Sequence, residues 1–196
     1  MKLKKIASLM LAGVMAVSML AGCSNGTKPE NPAEEPVDNT IASYLNDAQK
    51  DNEVKAEFAY DADLEAMMEK ALDVYGTQAT VTNIRQQIKD SMDDVDVWGN
   101  KLSDLYANSA VTSKNTYAYL LVKDDVTSKT DEALMKEIAK DISFEDLMDE
   151  LDASDGYKYT YTNTGKVAMV KSEDKAGSVH RYVAVVVTVT STSAAA

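Results

Sequence analysis

Arg181-Tyr182-Val183-Ala184-Val185-Val186-Val187-Thr188-Val189-Thr190 is the stretch on which the fold turns. Side chains alternate along a strand with a period of two, so Val183, Val185, Val187 and Val189 share one face while Ala184 and Val186 put apolar groups on the other. A strand apolar on both faces and rich in β-branched residues belongs inside its sheet. The seven-residue connection Ser172–Ser178 separates it from a strand predicted over Lys166–Lys171. Asn163–Gly165 reads as a turn, preceded by a further strand over Tyr157–Thr162. Beyond Thr190, residues 191–196 read as a flexible tail.

Upstream, helical spacing takes over. Tyr117–Val122 is an aromatic and aliphatic strand, and Asp131–Asp141 is a helix with Leu134, Met135, Ile138 and Ala139 inward. Ser143 with Asp146 three residues on predicts a second helix start, stapled by Ile142 and Leu147. From Val81 to Tyr106 apolar residues recur every three or four positions, which predicts one helix from about Thr80 to Asn108, bent near Gly99. No charged e/g pattern flanks that stripe, so a buried helix accounts for it better than a coiled coil. Leu64, Met67, Met68, Ala71, Leu72 and Tyr75 form the clearest stripe, with Asp61 or Asp63 to cap it and Gly76 to end it. Ile41, Tyr44, Leu45 and Ala48 suggest a weak first helix, and Val54, Ala56, Phe58 and Tyr60 alternate as a short strand or an extended lead-in. The expectation is one α+β domain over residues 41–190. Its amphipathic helices pack on one face of a largely antiparallel sheet that ends in a C-terminal β-hairpin or meander.

The first 40 residues have a different composition. Lys2, Lys4 and Lys5 precede an uncharged apolar run from Ile6 to Leu20, followed by Leu20-Ala21-Gly22-Cys23. A basic start, an apolar stretch of this length and small residues before a cleavage point predict a signal peptide over residues 1–22. The run is also short of the ~20 residues a spanning helix needs. Leu20-Ala21-Gly22-Cys23 resembles the lipobox of bacterial lipoproteins. The resemblance covers residues 1–23 and implies cleavage between Gly22 and Cys23, with a diacylglyceryl group on the Cys23 sulfur, whose acyl chains are typically palmitate. All three prolines, Pro29, Pro32 and Pro36, then fall in a polar stretch that predicts a disordered tether over residues 23–40.

Charge and residue counts exclude several kinds of chemistry. The chain has 20 Lys and Arg against 32 Asp and Glu, a formal charge of −12. Removing residues 1–22 leaves 17 basic side chains and takes that charge to −15. Nucleic-acid binding needs a basic surface, so no nucleic-acid partner is expected. An acidic body is not drawn to anionic lipid, which leaves membrane attachment to the lipid on Cys23; two acyl chains anchor where one is marginal. One Cys and one His exclude an intramolecular disulfide framework, Cys-based zinc sites and multi-His metal sites. Asp90, Asp93, Asp94 and Asp96 before Gly99 fail the calcium-loop spacing, as do Asp149, Glu150, Asp152 and Asp155 before Gly156. On those counts and spacings no metal is expected, and since phosphate-cradling glycine loops are absent as well, no cofactor is expected.

His180 stands next to Ser178, but no spacing singles out an acidic partner to complete a nucleophilic set. Tyr157, Tyr159 and Tyr161 would share one strand face, either as a stacking platform for an envelope glycan or peptide or, more in keeping with strand propensity, as packing. The element order over residues 61–190 is loosely similar to the CAP (cysteine-rich secretory protein) superfamily as it occurs in bacteria. That family's pocket uses two His with acidic partners, whereas this chain has only His180, in a different region. No site residue carries over, and the likeness would imply a degenerate CAP-like domain. The leading expectation is a lipoprotein held at the extracytoplasmic face of the cell membrane, with a non-catalytic domain that binds or scaffolds a glycan or protein. The alternative is a cell-envelope hydrolase relying on carboxylates alone.

Overall fold

The computed structural model describes residues 39–109, 116–127, 129–152 and 156–195. The predicted signal peptide, the Gly22–Cys23 junction and nearly all of the tether lie outside the described residues, as does Asp155. The elements in chain order are α1 (Thr40–Ala48), β1 (Glu57–Tyr60), α2 (Ala62–Tyr75), α3 (Val81–Ser91), β2 (Val97–Gly99), α4 (Leu102–Ser109), β3 (Thr116–Asp125), α5 (Asp131–Ile142), β4 (Glu150–Asp152), β5 (Tyr157–Glu173) and β6 (Val179–Ala195). The sheet order is β1-β5-β6-β3-β2, and β4 pairs with β5 as well.

β6 is the central strand, as its two apolar faces require. It runs antiparallel to β5 from Val179 opposite Glu173 to Ala195 opposite Tyr157, and antiparallel to β3 on its other edge. β1 joins β5 in parallel and β2 joins β3 in parallel, so the sheet is mixed but mostly antiparallel. Val183, Val185, Val187 and Val189 pack with Val167, Tyr159 and apolar residues of α1, α4 and α5. Ala184 and Val186 pack with Ala168, Leu120 and the stripes of α2 and α3. The α+β class with helices on a largely antiparallel sheet is therefore what the molecule has. The helices, however, cover both faces rather than one, because Ala184 and Val186 need cover as much as the four valines do.

Four further expectations are corrected. The long helix of residues 80–108 is α3, then β2, then α4. Thr80 and Asn83 form a capping box at its start, α3 ends at Ser91, and Asp96 then ties the chain to Thr116 ahead of β2: its amide donates to the Thr116 carbonyl at 2.9 Å and its carboxylate accepts from the Thr116 amide at 2.8 Å. Two short stripes in sequence had the spacing of one long one. Gly99 is a point of close approach rather than a bend, since a Cβ there would lie 2.5 Å from Leu105.

Asn163–Gly165 is the middle of β5, a single 17-residue strand. Asn163 accepts from the Tyr106 hydroxyl at 2.7 Å and donates to the Met148 carbonyl at 2.8 Å. Gly165 lies under the Phe58 ring, where a Cβ would come within 2.4 Å, so the glycine serves packing. Ser143 makes no cap bond. It is the left-handed residue (φ 55°) that closes α5, and only a 3₁₀ turn follows it over Phe144–Asp146. Residues 191–195, expected as tail, continue β6; Ser191 is buried opposite Tyr161.

Candidate functional site

The outer edge of β5 is where the fold leaves an opening. β4 covers Lys158–Thr160 of that edge and β1 covers Thr164–Val167. The free side of the β1 segment is closed in turn by two amide side chains from α1. Asn46 donates to the Phe58 carbonyl and accepts from the Phe58 amide, both at 3.0 Å. Gln49, itself 1% exposed, treats Ala56 the same way, accepting from its amide at 2.9 Å and donating to its carbonyl. Each amide does what a neighbouring strand would do.

β1 stops at Tyr60. The Asp61 amide donates to the Val167 carbonyl at 3.0 Å, and the Asp61 carboxylate caps α2 by accepting from the Leu64 amide at 2.7 Å. The chain then leaves the sheet while β5 runs on to Glu173. Val167 turns its carbonyl outward, so by strand alternation the backbones of Met169, Lys171 and Glu173 face outward too. Among the described residues no strand pairs with them.

A cleft of about 740 Å³ follows this bare segment, with Met169–Ser172 along its length. Glu65, Glu69 and Asp73 of α2, four residues apart, form one wall together with Leu72; Ile41 and Tyr60 belong to the other. None of the three carboxylates has an ion-pair partner among the described residues, although Asp61 nearby pairs with Lys166 at 3.0 Å. Lys171 is the cation in the cleft. Such a wall holds cationic groups beside an apolar surface.

The structure gives His180 partners that no spacing suggested. Its Nδ1 lies 2.9 Å from one Asp124 oxygen and its Nε2 lies 3.6 Å from Asp174, while its ring stacks on Tyr182. Donation from the His180 ring to the Asp124 carboxylate raises the His180 pKa above its ordinary value, against a smaller opposing effect of burial. Asp174 is lowered, first by the Ser178 amide and also by Ala176 and His180. Both ring nitrogens thus face carboxylates. The histidine locks the β5–β6 turn, and Asp174 stands where a nucleophile would have to be. Next to it Arg181 donates through Nε to Asp125 at 3.2 Å and through Nη1 to Asp131 at 2.7 Å. Burial alone would raise the Asp125 pKa, but the Thr127 hydroxyl and Arg181 outweigh it and hold the group below the usual range.

The tyrosine ladder is not a stacking platform. Tyr159 and Tyr161 are buried under α1 and α4, Tyr161 edge-on to Tyr106 at 5.0 Å; Tyr157 alone is exposed. Among the described acids of the two calcium-like runs, Asp90 accepts from Gln86, Asp96 pairs with Thr116 and Glu150 pairs with Lys158. The described residues contain no group of three or more His, Cys, Asp or Glu placed to hold a metal, and no helix long and apolar enough to cross a membrane.

Sequence reasoning missed the cleft. The step Glu65, Glu69, Asp73 was visible as the polar side of α2, but only the early end of β1 makes it face a groove. The chain matches no protein-family model, no curated protein and no solved structure.

Proposed function

We propose that this is a lipid-anchored protein of the extracytoplasmic membrane face, whose domain binds a partner without chemical turnover. The lipobox-like Leu20-Ala21-Gly22-Cys23 supports the anchor. The observation that carries the binding reading is the cleft along β5: three carboxylates without an ion-pair partner among the described residues, an apolar wall and a strand edge that no described strand pairs converge on one concave surface. The locked His180 speaks for the same reading, because the one imidazole in the chain is used in structure.

Two measurements test it. Mass spectrometry of the mature protein is expected to find Cys23 as the first residue carrying a diacylglyceryl group, and Cys23→Ala to release the protein to the medium or leave it unprocessed. An intact Met1 with a bare thiol, or unchanged membrane retention of the variant, overturns the anchor. Envelope glycans and peptides offered to the full chain are expected to raise its melting temperature without being cleaved. Turnover that disappears when one carboxylate pair is replaced would establish the hydrolase instead.

A further inference from the structure

The cleft is open to a particular kind of guest. Strand addition to an exposed sheet edge draws its affinity from main-chain hydrogen bonds and its selectivity from pockets for alternate side chains. Met169, Lys171 and Glu173 turn their amides and carbonyls toward the cleft side, and no hydrogen bond to these backbones is made among the described residues. The neighbouring stretch of the same edge is filled by β4, by β1 and, behind β1, by Asn46 and Gln49. The fold therefore supplies partners along this edge at Lys158–Thr160 and Thr164–Val167 and, among the described residues, stops supplying them after Val167. Open edges are usually blunted, so a bare segment flanked by two walls calls for an occupant.

The walls differ in chemistry, and they lie on opposite faces of the sheet. α2, with Glu65, Glu69 and Asp73, lies on the face of Ala168 and Val170; Ile41 and Met169 belong to the other face. Four residues of helix advance about 6 Å and two residues of strand about 6.6 Å, so alternate residues of an added strand keep step with the three acids. Such a strand would present cationic side chains to α2 and apolar ones to Ile41 and Met169.

We infer that the β5 edge at Met169–Glu173 takes up an extended peptide segment in which Lys or Arg alternates with apolar residues, added to the sheet beside β5. This rests on the binding reading above and gives it a ligand class. The chain's own tether is unsuited to the place: residues 24–38 hold Lys28 against Glu30, Glu34, Glu35 and Asp38, with three prolines that lack the amide proton a strand must donate. A second copy of this strongly acidic chain is disfavoured for the same electrostatic reason. The partner is a basic segment of another protein.

The test uses the full chain purified in detergent and the blocked octapeptide (Lys-Val)4. Its binding is expected to slow hydrogen exchange at the Met169 and Lys171 amides at least tenfold, while (Glu-Val)4 leaves them unchanged. Two N-methylated versions of (Lys-Val)4, blocked at every Lys or at every Val, separate strand addition from simple charge attraction. One of them is expected to lose binding, and which one reports the strand's direction. Glu69→Lys combined with Asp73→Lys, both exposed positions, is expected to weaken binding of the parent peptide at least tenfold. The inference is overturned if the two amides gain no protection, if both methylated peptides bind like the parent, or if the charge reversals have no effect. Those failures leave the anchor untouched, since membrane retention through Cys23 and melting shifts by other ligands are read separately. Conversely, a bare Cys23 overturns the anchor and leaves the peptide result standing.

Discussion

The two halves of the outer edge of β5 are built on opposite plans. Between Lys158 and Val167 two partners cover the edge, β4 over Lys158–Thr160 and β1 over Thr164–Val167, and behind β1 the Asn46 and Gln49 amides stand in for one more strand. From Met169 to Glu173 the same strand carries the same kind of backbone groups and has none of that cover among the described residues. The difference is one of chain routing: Asp61 bonds to Val167 and caps α2 in the same step, turning the chain off the sheet. Closure here is a local structural choice, made at Asp61 and not repeated further along the strand among the described residues.

The largest effect should come from breaking the closed half. Gly165→Val would drive its side chain into the Phe58 ring, and overpacking of this kind costs about 3 kcal/mol; urea unfolding of the variant should show the loss, and full stability would mean that β1 does not sit as described. Gln49→Ala comes next. It strands the Ala56 amide and carbonyl, and losing partners for buried groups should cost about 2 kcal/mol; faster exchange at the Ala56 amide with that at Val167 little changed would confirm that the clamp acts on the free side of β1. By contrast Glu69→Ala in the open half should shift stability by no more than about 0.5 kcal/mol, because it removes an exposed group that has no ion-pair partner among the described residues. The same variant should bind (Lys-Val)4 more weakly, and that split between stability and binding is what the comparison requires.

The finest test concerns the turn that holds the open half from its inner side, where His180 stands opposite Ser172. Its pKa is raised in the folded protein, mainly by Asp124, so the folded state binds the proton more tightly than the unfolded chain does. That stabilisation is fully present below the ordinary value of 6.5 and is lost as pH rises through the raised folded value. Unfolding midpoints of the natural chain minus those of His180→Gln should therefore fall between these limits, and a flat difference would detach His180 from Asp124.

The parts of the fold legible in the sequence were those in which one local pattern has one cause. The double-faced valine run of β6 announced a central strand, and the stripes of α2 and α5 announced buried helix faces. Ambiguity entered where a residue type serves two purposes. Gly165 is as good a glycine for a turn as for lying under Phe58, and only the distant aromatic decides. Val81–Tyr106 keeps helical spacing across a break after Ser91, beyond which Asp96 pairs with Thr116, twenty residues away. The site was less legible still. Asp124 reaches His180 through the register of β3 against β6, and the acidic wall of α2 becomes a cleft only because β1 is four residues long. Both depend on pairings between distant segments, which no window of sequence contains.

The parallel pairing of β1 with β5 also sets an order of events. Glu57 meets Thr164 roughly a hundred residues further along the chain, whereas β5 and β6 are joined by a tight turn and can zip together as they emerge. Contacts of such long range form slowly, because a large loop must close first. A nascent polypeptide leaving a ribosome or a translocon thus holds its first strand without a partner until its last third has arrived. Through that interval β1 is itself an unpaired strand, open to pairing with the wrong neighbour.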